Sequence, residues 1–195
     1  MVEDKTVFLA SAYPRPRLFV SADGAHFSRL PVPCSPKSST GPGPFRPGQL
    51  VASSPSDLVV TCYGLPSMAY LPTELFISHD GGHSFHALPT PTLLGQGAEA
   101  AMAGPATLVL GTSSPGGTWL ERAVAPGTSW STPFQRHDEG AGLSDLAFVD
   151  PLHGAFVYCP VPLAFDYFGP YGVPGGTVYL TDDGGFSWSP VHIPP

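Results

Sequence analysis

The sequence predicts an all-β fold built from a repeated four-stranded unit, and three observations carry that reading. Of the 195 residues 23 are Gly and 25 are Pro, yet 42% are apolar. So many chain breakers leave little room for long helices, and so much apolar side chain separates the chain from disordered sequences, which are poor in it. Only 12% of residues are charged, about half the usual ~25%, which excludes a coiled coil or helices laced with ion pairs. Finally, short β-branched and aromatic runs recur between clusters of Gly, Pro, Asp and Ser, the pattern of strands and turns.

The runs fall into register around one motif. Leu75-Phe-Ile-Ser-His-Asp-Gly-Gly-His-Ser-Phe85 and Val178-Tyr-Leu-Thr-Asp-Asp-Gly-Gly-Phe-Ser-Trp188 share Ser/Thr-x-Asp-Gly-Gly-x-Ser-aromatic, and Leu18-Phe-Val-Ser-Ala-Asp-Gly-Ala-His-Phe27 is a copy one residue shorter. A degenerate copy, Ala123 to Trp130, keeps Gly127, Ser129 and Trp130, so the closing aromatics recur at 58, 45 and 58 residues. Ahead of each motif lies a second strand-like run: Thr6–Ala10, Leu58–Cys62, Thr107–Leu110 and Ala155–Cys159. Further upstream is a third: Gln49–Ala52, Ala98–Ala103 and Leu146–Val149. Downstream is a fourth, as in Ser28–Pro31, His86–Pro89 and Val191–Ile193. One repeat is therefore four antiparallel strands, A to D, with the motif at the C–D corner. Repeats of about 45–55 residues with four strands are the arithmetic of a β-propeller.

Asp-Gly-Gly between two strands is hairpin chemistry: glycine takes positive φ cheaply and the Asp carboxylate accepts backbone N–H bonds within the turn. The motif is a lock on the corner, contributing stability and no catalysis. Ser21, Asp23, Gly24 and Phe27, then Ser78, Asp80, Gly82, Ser84 and Phe85, then Thr181, Asp183, Gly185, Ser187 and Trp188 resemble the Asp-box, or bacterial neuraminidase repeat. That family of propeller repeats includes sialidases, sortilin-type receptors and photosystem II assembly factor-like proteins; Phe148 to Val157 is similar to the A–B strand pair of the last group. The resemblance implies a box on the outer, structural side of a propeller and is nearly silent on activity. It also implies a frequent secreted or periplasmic setting, although the N-terminus lacks the basic and apolar regions of a signal peptide.

Read as one propeller domain, the blades run over about 1–40, 41–92, 93–136 and 137–195. The first begins at its B strand, so the chain is expected to be a piece of a longer propeller or to pair with another copy; a four-bladed ring closed by the termini is the rival.

Loops at the B–C and D–A corners emerge opposite the boxes, where propellers bind. Two B–C loops are long and aromatic, and from them Tyr63, Tyr70, Phe165, Asp166, Tyr167, Phe168 and Tyr171 are the candidate ligand-binding residues, for a protein or glycan partner. The plainer account is that these aromatics plug a central channel. The net charge of −7 and the lack of a basic run exclude nucleic acid. No apolar run is long enough to span a membrane. Cys34, Cys62 and Cys159 lack zinc-ligand spacing, and Cys34 and Cys62 are either a disulfide or two thiols. His79, His83 and His86 crowd one box but straddle a turn, so no metal and no cofactor is expected. A sialidase-like hydrolase, the alternative function, needs an arginine cluster and a tyrosine activated by a carboxylate; Phe45-Arg46-Pro47 and the acids Glu74 and Asp166 are its thin support. The expectation is a non-catalytic binding or assembly scaffold.

Overall fold

The computed structural model describes residues 6–11, 16–34, 45–65, 71–91, 96–124, 129–138, 141–160 and 176–191. They form fifteen strands in four antiparallel sheets, each strand hydrogen-bonded to its neighbours in chain order. The first sheet has three strands, β1 (Val7–Ser11), β2 (Arg17–Ser21) and β3 (Ser28–Leu30). The second joins β4 (Arg46–Ala52), β5 (Leu58–Tyr63), β6 (Thr73–Ser78) and β7 (His86–Leu88). The third is β8 (Gln96–Gly104), β9 (Thr107–Ser114), β10 (Gly117–Val124) and β11 (Trp130–Arg136). The fourth is β12 (Gly142–Phe148), β13 (Gly154–Cys159), β14 (Thr177–Thr181) and β15 (Ser189–Pro190). Strand β15 starts two residues ahead of the expected Val191, whose own N–H still reaches the Val178 carbonyl at 2.8 Å. Among the described residues the first sheet carries no A strand, as its sequence register requires.

The chain divides into two compact units, one holding β1–β7 and the other β8–β15. In the first, Leu18, Leu30, Phe45 and Val60 are buried together between the two sheets, with Phe8, Leu50 and Phe85 packed against them. In the second, β12 lies along β8 and β9, and Val109, Leu120, Phe134, Phe156, Tyr158 and Tyr179 form the core. Strand periodicity explains the selection: Leu120 points into this core while its neighbours Trp119 and Glu121 point to the other face. The rings pack by edge and by stack, Phe156 lying parallel to Tyr179 at 5.1 Å and Phe134 meeting Tyr179 edge-on at 4.9 Å, geometries favoured by the ring quadrupole.

Each A strand is kinked by a bulge, between Pro47 and Leu50, at both ends of β8, and between Ser144 and Ala147. At the last of these Asp145 takes φ 58, a conformation uncommon outside glycine, and the freed Leu146 N–H is taken up by Glu99 Oε2 at 3.0 Å.

Candidate functional site

The two ends of the sheets differ in how their polar groups are used. At the turn end, the three Ser/Thr-x-Asp-Gly corners are closed by their own bonds. The Ser78 hydroxyl donates to Asp80 Oδ1 (2.8 Å) and accepts from the Gly82 N–H (2.8 Å), while Ser84 donates its N–H to Oδ1 and its hydroxyl to Oδ2. Thr181, Asp183, Gly185 and Ser187 repeat this geometry. Ser21, Asp23 and Gly24 do so with one residue fewer, His26 taking the place of the second serine. Gly82 and Gly185 sit at φ 87 and 84, which L side chains adopt only with strain. The preceding glycines, Gly81 and Gly184, donate to the A–B turn carbonyls of Ser56 and Leu152 at 2.9 Å, so in the second and fourth sheets two turns are stitched together. Trp188 folds over Phe148 and Phe156. Phe27 in the shortened corner instead remains 42% exposed, because the turn that would carry it inward is one residue short.

These bonds leave the turn carboxylates fully engaged. Asp23 and Asp80 are held well below the usual carboxylate range, Asp23 by the His26 N–H first and Asp80 by the Ser84 hydroxyl first. Asp150 is brought down to about 2 by the Leu152 N–H and His153. At Asp183 burial pulls upward, but Ser187 and Thr181 outweigh it and bring the group down to about 2. Folded values below unfolded ones stabilise the fold above pH ~4, and that contribution is lost as pH falls through the folded values. Thermal melts should therefore show a Tm that falls steeply below about pH 4.5, and Asp183→Asn should flatten that acid limb. A Tm unchanged at pH 2 would contradict the turn-lock account.

The turn end thus has little left for a ligand. A cavity of about 310 Å³ in the first unit, lined by Thr6, Phe8, Ala52, Ser53, Ser54 and Pro55, contains no charged group.

The opposite end is different. In the first unit, Tyr63 closes β5 opposite Arg46 and Thr73. Its ring lies over Gly48, where a Cβ would come within 2.0 Å of the ring, so glycine there is what admits the tyrosine. The Gly64 N–H caps the base of the loop on the Pro72 carbonyl at 2.8 Å. Beneath, Cys34 and Cys62 form a disulfide, resolving the alternative that the sequence left open. Glu74, paired in register with Cys62, is pushed up by burial. Of the other predicted ligand residues, Tyr70, Phe165, Asp166, Tyr167, Phe168 and Tyr171 lie outside the described residues.

In the second unit the same end carries a cluster that the sequence reading did not single out. Arg136 at the end of β11 donates from Nη2 to the Tyr179 hydroxyl at 3.1 Å. The Tyr158 hydroxyl donates to Asp138 Oδ2. Both tyrosines are 5% exposed, whereas Arg136 and Asp138 are exposed. Burial, and then the hydrogen bond to Asp138, push the Tyr158 phenol up, out of reach of ionisation at neutral pH. His137, between them, turns to the other side, where it meets the Trp119 edge and Gln135. Two further charges are buried in this unit. Arg122 donates from Nε to the Gly184 carbonyl at 2.8 Å and lies 3.4 Å over the Phe186 ring. Glu121, at the β10 bulge, accepts from the Thr132 hydroxyl at 3.2 Å and is pushed up by burial.

No protein-family model and no curated protein matches the chain. Solved structures do. A GH74 enzyme from Niastella koreensis superposes with TM-score 0.52 at 16% identity over 96% of this chain and 24% of its own. A GH74 xyloglucanase from Xanthomonas campestris (0.48, 14%; 96% of this chain, 36% of its own) and a puromycin-hydrolyzing peptidase from Mycobacterium tuberculosis (0.49, 12%; 100% and 38%) superpose less closely. The chain spans between about a quarter and two fifths of the length of these structures. At such identity the first likeness speaks for the fold alone. Taken with the meander order of strands in each sheet and the packing of inner strands between sheets, it identifies the chain as one built from β-propeller blades.

Proposed function

We propose that the chain is a non-catalytic β-propeller scaffold that meets a protein or glycan partner with the strand ends and loops opposite its Asp-Gly corners. The observation that carries this reading is the contrast between the two ends: the corner aspartates of one are bound within their own turns, and the other presents the exposed Arg136 and Asp138, each with bonding capacity beyond its tyrosine partner. The Cys34–Cys62 bond supports maturation in an oxidising compartment. Tyr158 is unsuited to the nucleophile's part in the sialidase-like alternative, since a nucleophilic tyrosine needs help to ionise and burial pushes this phenol the other way.

Glycan and protein arrays probed with the purified chain test the reading. Tyr63→Ala, Arg136→Gln and, in the long loop, Tyr167→Ala should each lower the signal at least about tenfold, the loss of one buried contact or charged hydrogen bond. His153→Ala at the turn end should leave it unchanged. A signal insensitive to all three substitutions at the binding end would sink the assignment, as would turnover of a fluorogenic sialoside.

A further inference from the structure

Arg136 and Asp138 are two residues apart, exposed and oppositely charged, yet they form no ion pair with each other. Each is instead held by a tyrosine hydroxyl from the neighbouring sheet, Arg136 on Tyr179 and Asp138 on Tyr158. The two phenol rings are fixed edge-to-face with centroids 6.3 Å apart, and both are packed against Phe134. Each charge is therefore anchored on a rigid aromatic base, which is how a recognition pair is pre-organised.

The unused bonding capacity defines what fits. The guanidinium has five N–H donors and one is on Tyr179; its fork matches a carboxylate. Asp138 accepts the Tyr158 proton on Oδ2 and keeps Oδ1 open to a donor. Tyr179 accepts from Arg136 and still has its own proton to give. We infer that this corner binds a small zwitterion of the α-amino acid type, with its carboxylate on Arg136 and Tyr179 and its ammonium on Asp138. A simple anion would leave Asp138 facing it unfavourably, and a simple cation would meet the same conflict with Arg136; only a ligand carrying both charges satisfies both. The arginine charge is not in doubt for this role, because the Tyr179 bond favours the protonated guanidinium further.

The inference rests on the reading of this end as the binding end. Its test is calorimetric or NMR titration of the whole chain at pH 7 with L-phenylalanine, L-phenylalaninamide and N-acetyl-L-phenylalanine, which present both charges, the cation alone and the anion alone. Phenylalanine should bind saturably and each derivative at least about tenfold more weakly, the scale of one charged hydrogen bond. Arg136→Gln should erase the preference for phenylalanine over its amide. Asp138→Asn should erase the preference over the N-acetyl derivative. Tyr179→Phe, which keeps the ring, should weaken phenylalanine several-fold by freeing Arg136. Equal binding of the N-acetyl derivative to the unaltered chain would overturn the inference in favour of an anion hook. Absence of saturable binding in the millimolar range would overturn it too, and array signals that still depended on Arg136 would then leave the binding-end assignment standing without this ligand.

Discussion

Replacing Cys34 and Cys62 together by serine should lower the unfolding free energy by about 3–4 kcal/mol, read as a shift of the urea midpoint. The bond closes a separation of 28 residues, and the loop-closure entropy removed from the unfolded chain by a loop of that size is about this large. Both cysteines are buried in the core of the first unit, so the serine hydroxyls add a smaller burial cost in the same direction. The bond fastens the chain just beyond β3 to the middle of the next sheet, across a span that contains all of β4. Cys159→Ser serves as the control: that thiol is buried and free, and its replacement should cost about 1 kcal/mol, within the ordinary range for a single substitution. A double variant no less stable than this control would refute the entropic account.

Gly117→Ala should be nearly as damaging, at roughly 2–5 kcal/mol. The residue opens β10 at φ 139, and a Cβ there would stand 2.1 Å from the Arg136 carbonyl oxygen and 3.1 Å from the His137 Cα. These are backbone atoms of the neighbouring strand, unable to swing aside as a side chain would, so strain and overpacking add. Gly116, next in the same turn, meets nothing closer than 3.7 Å, and Gly116→Ala should change stability by less than about 1 kcal/mol. Thermal melts of the pair decide the matter, and equal losses would mean that the turn and not the contact is responsible. Because the clash falls on Arg136, Gly117→Ala should also weaken any ligand that Arg136 holds.

The blades were legible in the sequence because strands announce themselves twice, by two-residue alternation within a run and by the Asp-Gly corners between runs. The same corners place β2, β6 and β14 within a residue or two, and the degenerate copy, read from spacing together with Gly127, Ser129 and Trp130, falls between β10 and β11. The edges of D strands were less legible: β15 opens on Ser189 and Pro190, neither of which favours a strand, and it is the pairing with Leu180 and Tyr179 that makes it one. The site was harder still. Tyr63 was marked because it begins a long aromatic loop. Arg136 and Asp138 were passed over because they follow the one corner that has lost its aspartate, and because Tyr158 and Tyr179 read as ordinary strand residues. A signal was present in the opposite charges at positions two apart just after a D strand, but their anchoring depends on phenols 20 and 43 residues distant in sequence, which no local pattern encodes.

Each Asp-Gly corner closes with atoms from its own hairpin and the adjoining turn of its own sheet. A unit wired in that way carries the instructions for its own corner with it, so the hydrogen bonds of that corner travel with the corresponding stretch of gene. The exception is the last one, where Arg122 of the preceding sheet reaches in to grasp Gly184 and Phe186. That corner leans on its neighbour, and these two sheets form a coupled pair.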